Sequence, residues 1–197
     1  MRNIKNLLLI LCLLFFASCK KLRNIGTIPP PIKLTFDYDN LPVVAYNGGN
    51  YFGYLIDGNP TWGQKKNILD SRVKAKYNDQ EKSLSLDFSS DVRSVFINLK
   101  SIEPKVGQIY QLKDILLTPQ SSFASYYEDG PSTTFPSGNI VGTIYIFSTT
   151  NDTPNYVKIT YLNWETRIIT GEFDLTVRRM DQTVNRGITK GRFDLKF

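Results

Sequence analysis

Ile169-Thr170-Gly171-Glu172-Phe173-Asp174-Leu175 and Ile188-Thr189-Lys190-Gly191-Arg192-Phe193-Asp194-Leu195 are near-repeats at the end of a 197-residue chain. Both contain Gly-x-Phe-Asp-Leu, and in both the apolar side chains fall on alternate positions, the period of a half-buried strand. Antiparallel pairing with Phe173 opposite Gly191 and Phe193 opposite Gly171 lets each ring cover the gap left by the other strand's glycine. On the other face this register sets Glu172 against Arg192 and Asp174 against Lys190. A slip of two residues would set Glu172 against Asp194, and like charges directly opposite cost stability.

The same period recurs upstream, in Ile32–Tyr38, Ser83–Phe88, Val92–Leu99, Asn139–Phe147 and Tyr156–Leu162. Turn-forming clusters separate these runs, among them Asp57-Gly58-Asn59-Pro60, Asn78-Asp79-Gln80-Glu81 and Pro136-Ser137-Gly138. No stretch carries a helical apolar stripe. The pattern predicts an all-β domain over residues 32–197, an antiparallel β-sandwich of about ten strands, with a closed up-and-down β-barrel as the alternative.

The N-terminus has a different grammar. Arg2 and Lys5 precede an uninterrupted apolar run from Leu7 to Phe16, followed by Ala17, Ser18 and Cys19. That is the layout of a secretory signal peptide over residues 1–18, and the run is about half of the ~20 residues a spanning helix needs. Phe16-Ala17-Ser18-Cys19 resembles the lipobox of bacterial lipoproteins, with Phe in place of the usual Leu at its first position. The resemblance implies that Cys19 is lipidated and becomes the mature N-terminus; the alternative is ordinary cleavage near Ala17. Residues 19–31, with Lys20, Lys21, Arg23 and Pro29-Pro30-Pro31, read as a tether in extended polyproline conformation. The basic residues after Cys19 favour the periplasmic face of the outer membrane, with the cell surface as the other expectation.

Phe52-Gly53-Tyr54-Leu55-Ile56-Asp57-Gly58 with Trp62, Val106-Gly107-Gln108-Ile109-Tyr110-Gln111-Leu112 and the closing Gly-x-Phe pair resemble small Bacteroidota lipoproteins of this kind. The resemblance implies a lipid-anchored β domain of unknown function and brings no activity with it.

Composition narrows the chemistry. The chain has 24 basic and 18 acidic residues, and loss of Arg2 and Lys5 with the signal lowers the formal charge from +6 to +4. The excess is dispersed, which argues against a nucleic-acid partner. Of the two cysteines, Cys12 leaves with the signal and Cys19 carries lipid, so no disulfide is expected. There is no histidine, which removes Ser-His-Asp and Cys-His catalysis and the common zinc sites.

Carboxylates are the remaining candidates for catalysis, since glycoside hydrolysis runs on two of them about 5–10 Å apart. Glu128 and Asp129 are expected in a solvated loop spanning Ser121–Ser137, and Asp174 and Asp194 on the outer face beside Lys190. Asp37-Tyr38-Asp39-Asn40 has calcium-type oxygens without an EF-hand's glycine and distal glutamate. Gly48-Gly49 lacks the Lys-Ser/Thr partner of a phosphate loop. No cofactor and no metal site is expected. Two aromatic clusters remain, Tyr46, Tyr51, Phe52, Tyr54 and Trp62, and Phe123, Tyr126, Tyr127 and Phe135. Such rings build β cores and also bind flat sugar faces or partner side chains. Tyr126, Tyr127, Trp62 and Tyr54 are therefore the ligand-binding candidates, and the adjacency of Tyr126 and Tyr127 turns one of them outward on any strand.

The sequence thus points to a lipid-anchored, non-enzymatic module for a glycan or an envelope protein. A carboxylate-dependent glycan hydrolase and a purely structural envelope component are the alternatives. The hairpin register is the sharpest structural prediction, and a structure with Phe173 directly opposite Phe193 would refute it.

Overall fold

The computed structural model describes residues 33–66, 72–116, 118–134, 137, 140–181 and 183–197. The signal segment, Cys19 and the tether lie outside the described residues, as do Ile32, Phe135, Pro136 and Gly138. Alternating side chains become strands throughout: β1 (Tyr51–Ile56), β2 (Asn59–Gln64), β3 (Val73–Asn78), β4 (Ser83–Ser89), β5 (Arg93–Leu99), β6 (Ile109–Gln111), β7 (Phe123–Thr134), β8 (Ile140–Thr149), β9 (Tyr156–Asn163), β10 (Ile168–Arg179) and β11 (Asn185–Lys196). They form one antiparallel sheet in the order β2-β1-β11-β10-β8-β7-β5-β4-β3, with β9 on β10 and β6 on β9.

The closing hairpin has the predicted register, Phe173 opposite Gly191, Gly171 opposite Phe193 and Glu172 opposite Arg192. A Cβ at Gly171 would stand 2.5 Å from the Phe193 ring, and one at Gly191 equally close to Phe173. A third pair extends the device, for Phe52 of β1 faces Gly63 of β2 and also Phe193. The three rings converge on Phe88 of β4, at 5.4 Å from Phe52, 5.5 Å from Phe173 and 5.6 Å from Phe193. β4 lies near the far end of the strand order, so these contacts curl the sheet onto itself into a nearly barrel-shaped all-β fold. Each fully buried ring contributes about 1.5–3 kcal/mol.

Two irregularities matter. β11 bulges at Lys190, whose φ is 52°, and the register shifts there against both β1 and β10. Asp174 and Lys190 do meet, but through the backbone: Lys190 N–H donates to Asp174 Oδ1 at 2.8 Å. β10, in turn, is paired along one edge by two strands end to end, β9 as far as Asp174 and β8 from Val177 onward. In the gap, the buried Asn155 accepts from Thr176 N–H at 2.6 Å and donates to the carbonyls of Thr150 and Thr153. A side chain thereby supplies the partner that the interrupted ladder lacks.

The strand expected at Ile32–Tyr38 is not formed. Asp37 Oδ1 accepts from the amides of Asp39 and Leu41 at 3.0 Å each, and this side-chain turn outcompetes extension. Residues 33–50 instead form a strap over the outer face of β1 and β11, pinned by a Phe36–Pro42 bridge. Gly53 permits the approach, since a Cβ there would lie 2.6 Å from Pro42. Beneath the strap sits Asp194, expected on the outer face and indeed pointing that way, yet wholly buried. Its oxygens accept from Asn47 N–H at 3.0 Å, Gly48 N–H at 2.9 Å and Thr170 Oγ1 at 3.2 Å.

Asp194→Ala removes the acceptor for all three donors and is expected to cost about 2–4 kcal/mol. Lys158→Ala, on the exposed part of the same face, should stay within about 0.5 kcal/mol. Denaturant unfolding of the two variants checks this, and equal midpoints would refute the anchoring role.

Candidate binding face

The strap covers only part of the sheet's outer surface. Across β4, β5, β7 and β8 the outward side chains stand in two rows set by the registers. One runs Ser89, Ser94, Tyr127, Ile146, and the other Asp87, Phe96, Ser125, Ser148. Large and small residues alternate between the rows, so Tyr127 and Phe96 rise as diagonal neighbours above a floor of serines. Asp87, Ser89, Ser94, Phe96 and Tyr127 line an open trough of about 420 Å³. Ser89 Oγ donates to Asp87 Oδ1 at 3.1 Å, orienting the carboxylate at the rim. Phe123 packs 6.0 Å from Phe96 and has Lys100 over its other side, 5.4 Å from the ring centroid. Two half-buried ring faces beside hydroxyls and a carboxylate can take a flat apolar face and its polar edge together.

A second groove, of about 380 Å³, lies against the strap and is lined by Val44, Tyr156, Glu172, Asp174, Lys190 and Arg192 among others. Its charges are engaged with one another. Lys190 Nζ binds Asp39 at 2.8 Å and Arg192 binds Asp37, so the Asp37-x-Asp39 pair of the strap is latched to Lys190-x-Arg192 of β11. Burial tends to raise the Asp37 carboxyl, but the Leu41 amide, the Arg192 guanidinium and the Asp39 amide outweigh it and hold the group below its usual value. The Tyr156 phenol donates to Asp174 at 2.7 Å, and that bond together with burial pushes it up to about 12. Asp174 accepts on both oxygens, and Glu172 lies 4.0 Å from Lys158. This is an ionic latch, and it engages the Asp37 and Asp39 carboxylates of the stretch that suggested calcium. Among the described residues no group of three or more carboxylates is placed to hold a metal ion.

The aromatic candidates divide between the two sides of the sheet. Tyr54 lies in the core beside Phe52 and Phe173, and burial pushes its phenol up. Tyr126 is also buried and donates to Glu128 Oε2 at 3.0 Å. Its neighbour Tyr127 faces outward into the trough, as strand alternation requires. Trp62 faces outward, 46% exposed, held edge-on by Phe36 of the strap at 5.0 Å. The loop expected over Ser121–Ser137 is mostly strand, because Phe123–Glu128 pairs with β5 and Ser125–Thr134 with β8. Glu128 is accordingly no loop tip. Its side chain is 14% exposed and takes Arg186 at 3.1 Å, a structural ion pair that also holds Tyr126.

Phe96, Asp87 and Ser94 were not singled out from the sequence. The available signal was phase, since Phe96 falls between the inward Val95, Ile97 and Leu99 and must face out. No protein-family model, no curated protein and no solved structure matches the chain.

Tyr126→Ala should destabilise the domain by about 3–5 kcal/mol, as expected of a core aromatic. Tyr127→Ala should cost about 1 kcal/mol or less. Paired denaturant titrations read the difference, and comparable losses would remove Tyr127 from the list of residues free to serve a ligand.

Proposed function

We propose that the protein is a lipid-anchored lipoprotein of the bacterial cell envelope whose β domain is a non-enzymatic binding module, taking a glycan on the outer face of β4, β5 and β7. The observation that carries this reading is the trough itself, where Tyr127 and Phe96 flank serine hydroxyls and the Asp87 carboxylate. Sugar rings present an apolar face and an equatorial rim of hydroxyls, and this arrangement matches both in one shallow site. Support for the binder over the hydrolase comes from the carboxylates. Glu172 and Asp174, the pair that shares a groove, are committed to Lys158, Tyr156 and the Lys190 amide. The anchor rests on Phe16-Ala17-Ser18-Cys19, and the likeness to Bacteroidota lipoproteins agrees with it. We place the protein in the outer membrane, facing the periplasm.

Thermal unfolding against a panel of envelope glycans and polysaccharide fragments tests the binding site. A ligand at ~100 times its dissociation constant adds about 2.7 kcal/mol, a shift of several degrees. The shift should vanish in Tyr127→Ala and Phe96→Ala and persist in Trp62→Ala. Release of shorter sugars, lost in Asp174→Asn, would replace the binder by the hydrolase, and a flat panel would favour an envelope protein partner or a structural role. Cys19→Ser should abolish incorporation of labelled palmitate; retained label would refute the anchor.

A further inference from the structure

We propose, on the reading that Cys19 carries lipid, that the outer surface of the strap is a membrane-docking face, which lays the domain against the anionic phospholipid leaflet holding its anchor. Five aromatic side chains stand exposed among the described residues, Phe36, Tyr38, Tyr46, Trp62 and Trp164, and the first four are on the strap or packed against it. Trp62 meets Phe36 edge-on at 5.0 Å, and Tyr46 meets Tyr161 at 5.8 Å. Tyr38, in the turn that Asp37 closes, is fully exposed. Val43, whose N–H donates to the Thr35 carbonyl at 2.8 Å, adds an exposed aliphatic side chain. The core does not require these rings, since it is filled from the inner side of β1 by Phe52 and Tyr54. Trp and Tyr are suited to the boundary between acyl chains and headgroups, where the apolar ring body and its polar tip are both satisfied.

Charge points the same way. The strap's own acids are neutralised, Asp37 by Arg192 and Asp39 by Lys190. Of the acids beneath and beside it, Asp194 is buried, Glu172 faces Lys158, and Asp174 accepts from Tyr156 and the Lys190 amide. Three lysines fringe the strap. Lys33 opens it, Lys65 donates its N–H to the Asn50 carbonyl at 2.8 Å, and the Lys196 stem lies against Gly48. No carboxylate among the described residues pairs with these three ammonium groups. They are placed to meet the negative surface potential of an anionic leaflet.

The route of the chain names the occupant. Thirteen residues separate Cys19 from Lys33, a reach of at most about 50 Å, and Lys20, Lys21 and Arg23 stand at the lipid end of that tether. The strap is therefore the part of the domain closest to the anchor along the chain. Docking is intramolecular once the anchor is inserted, so a face too weak to hold a membrane alone suffices.

The test uses the lipidated protein reconstituted into vesicles of phosphatidylethanolamine and phosphatidylglycerol. The chain has two tryptophans, and Trp164→Phe leaves Trp62 as the reporter while keeping a ring against Tyr77 and Phe197. A docked apolar face enters ~5–10 Å into the boundary of headgroups and acyl chains, so lipids brominated high on the acyl chain should quench Trp62 by about half. Adding Phe36→Asp, or Lys33→Glu together with Lys196→Glu, should cut that quenching about twofold or more. The thermal midpoint should stay nearly unchanged, because all three side chains are exposed. Flotation of the vesicles separates docking from anchoring. Protein that floats with Trp62 unquenched keeps the anchor and overturns the docking face, and so does quenching indifferent to these substitutions. Trp62 shielded from acrylamide in the native envelope yet untouched by brominated lipid would overturn it by naming a protein as the occupant. Protein that fails to float overturns anchor and docking together.

Discussion

The packing of phenylalanine rings over cross-strand glycines is the constraint on which this fold depends. Phe193 over Gly171, Phe173 over Gly191 and Phe52 over Gly63 lay three rings flat along four neighbouring strands. Flat rings leave room for a fourth, Phe88, to arrive from the opposite wall with its plane 3° from that of Phe173. A side chain at any of the three glycines would lift a ring and push Phe88 away. The curl of the sheet is therefore set by the absence of three Cβ atoms as much as by apolar burial.

Curling creates an outer surface that the chain then divides. Over β1 and β11 the strap closes, held by Asp194 beneath it and by the Asp37–Arg192 and Asp39–Lys190 pairs at its rim. The buried Asp194 is tolerated because two amides and a hydroxyl surround it, whereas a bare carboxylate there would be expelled. Over β4, β5 and β7 nothing comparable closes among the described residues. The two regions share strand geometry and differ in what lies opposite the outward residues, a pinned backbone in one and solvent in the other. An open trough lined by Phe96 and Tyr127 is thus left where the strap ends.

Strand positions followed from alternation where one face alone is buried, as in β4, β5 and β9 and in the parts of β10 and β11 that the strap leaves open. Alternation failed where both faces are covered or both exposed. β1 is buried at every position, Tyr51 and Leu55 under the strap and Phe52 and Tyr54 in the core, so it shows no period. β7 carries Gly130 and Pro131 within its length, which reads as a loop until β8 is seen beside it. At the N-terminus of the domain Ile32, Leu34, Phe36 and Tyr38 have a strand's period, but Asp37 captures two amides and leaves Tyr38 fully exposed. A local hydrogen-bonding competitor defeated the hydrophobic pattern.

What the sequence determined by itself was local or carried by direct neighbours: the all-β class, the register of the closing hairpin and the opposite facing of Tyr126 and Tyr127. These rest on period, on charge opposition across one ladder and on the pleat, all short-range. Only the tertiary structure decided that Tyr54 and Tyr126 are core, that Asp194 is buried, that Glu128 belongs to an ion pair with Arg186, and that Phe96 and Asp87 join Tyr127 in one trough. Those outcomes depend on which distant strands become neighbours. That choice is made by the burial of Phe88 against Phe52, Phe173 and Phe193, which lie 36, 85 and 105 residues away along the chain, and no local pattern encodes it.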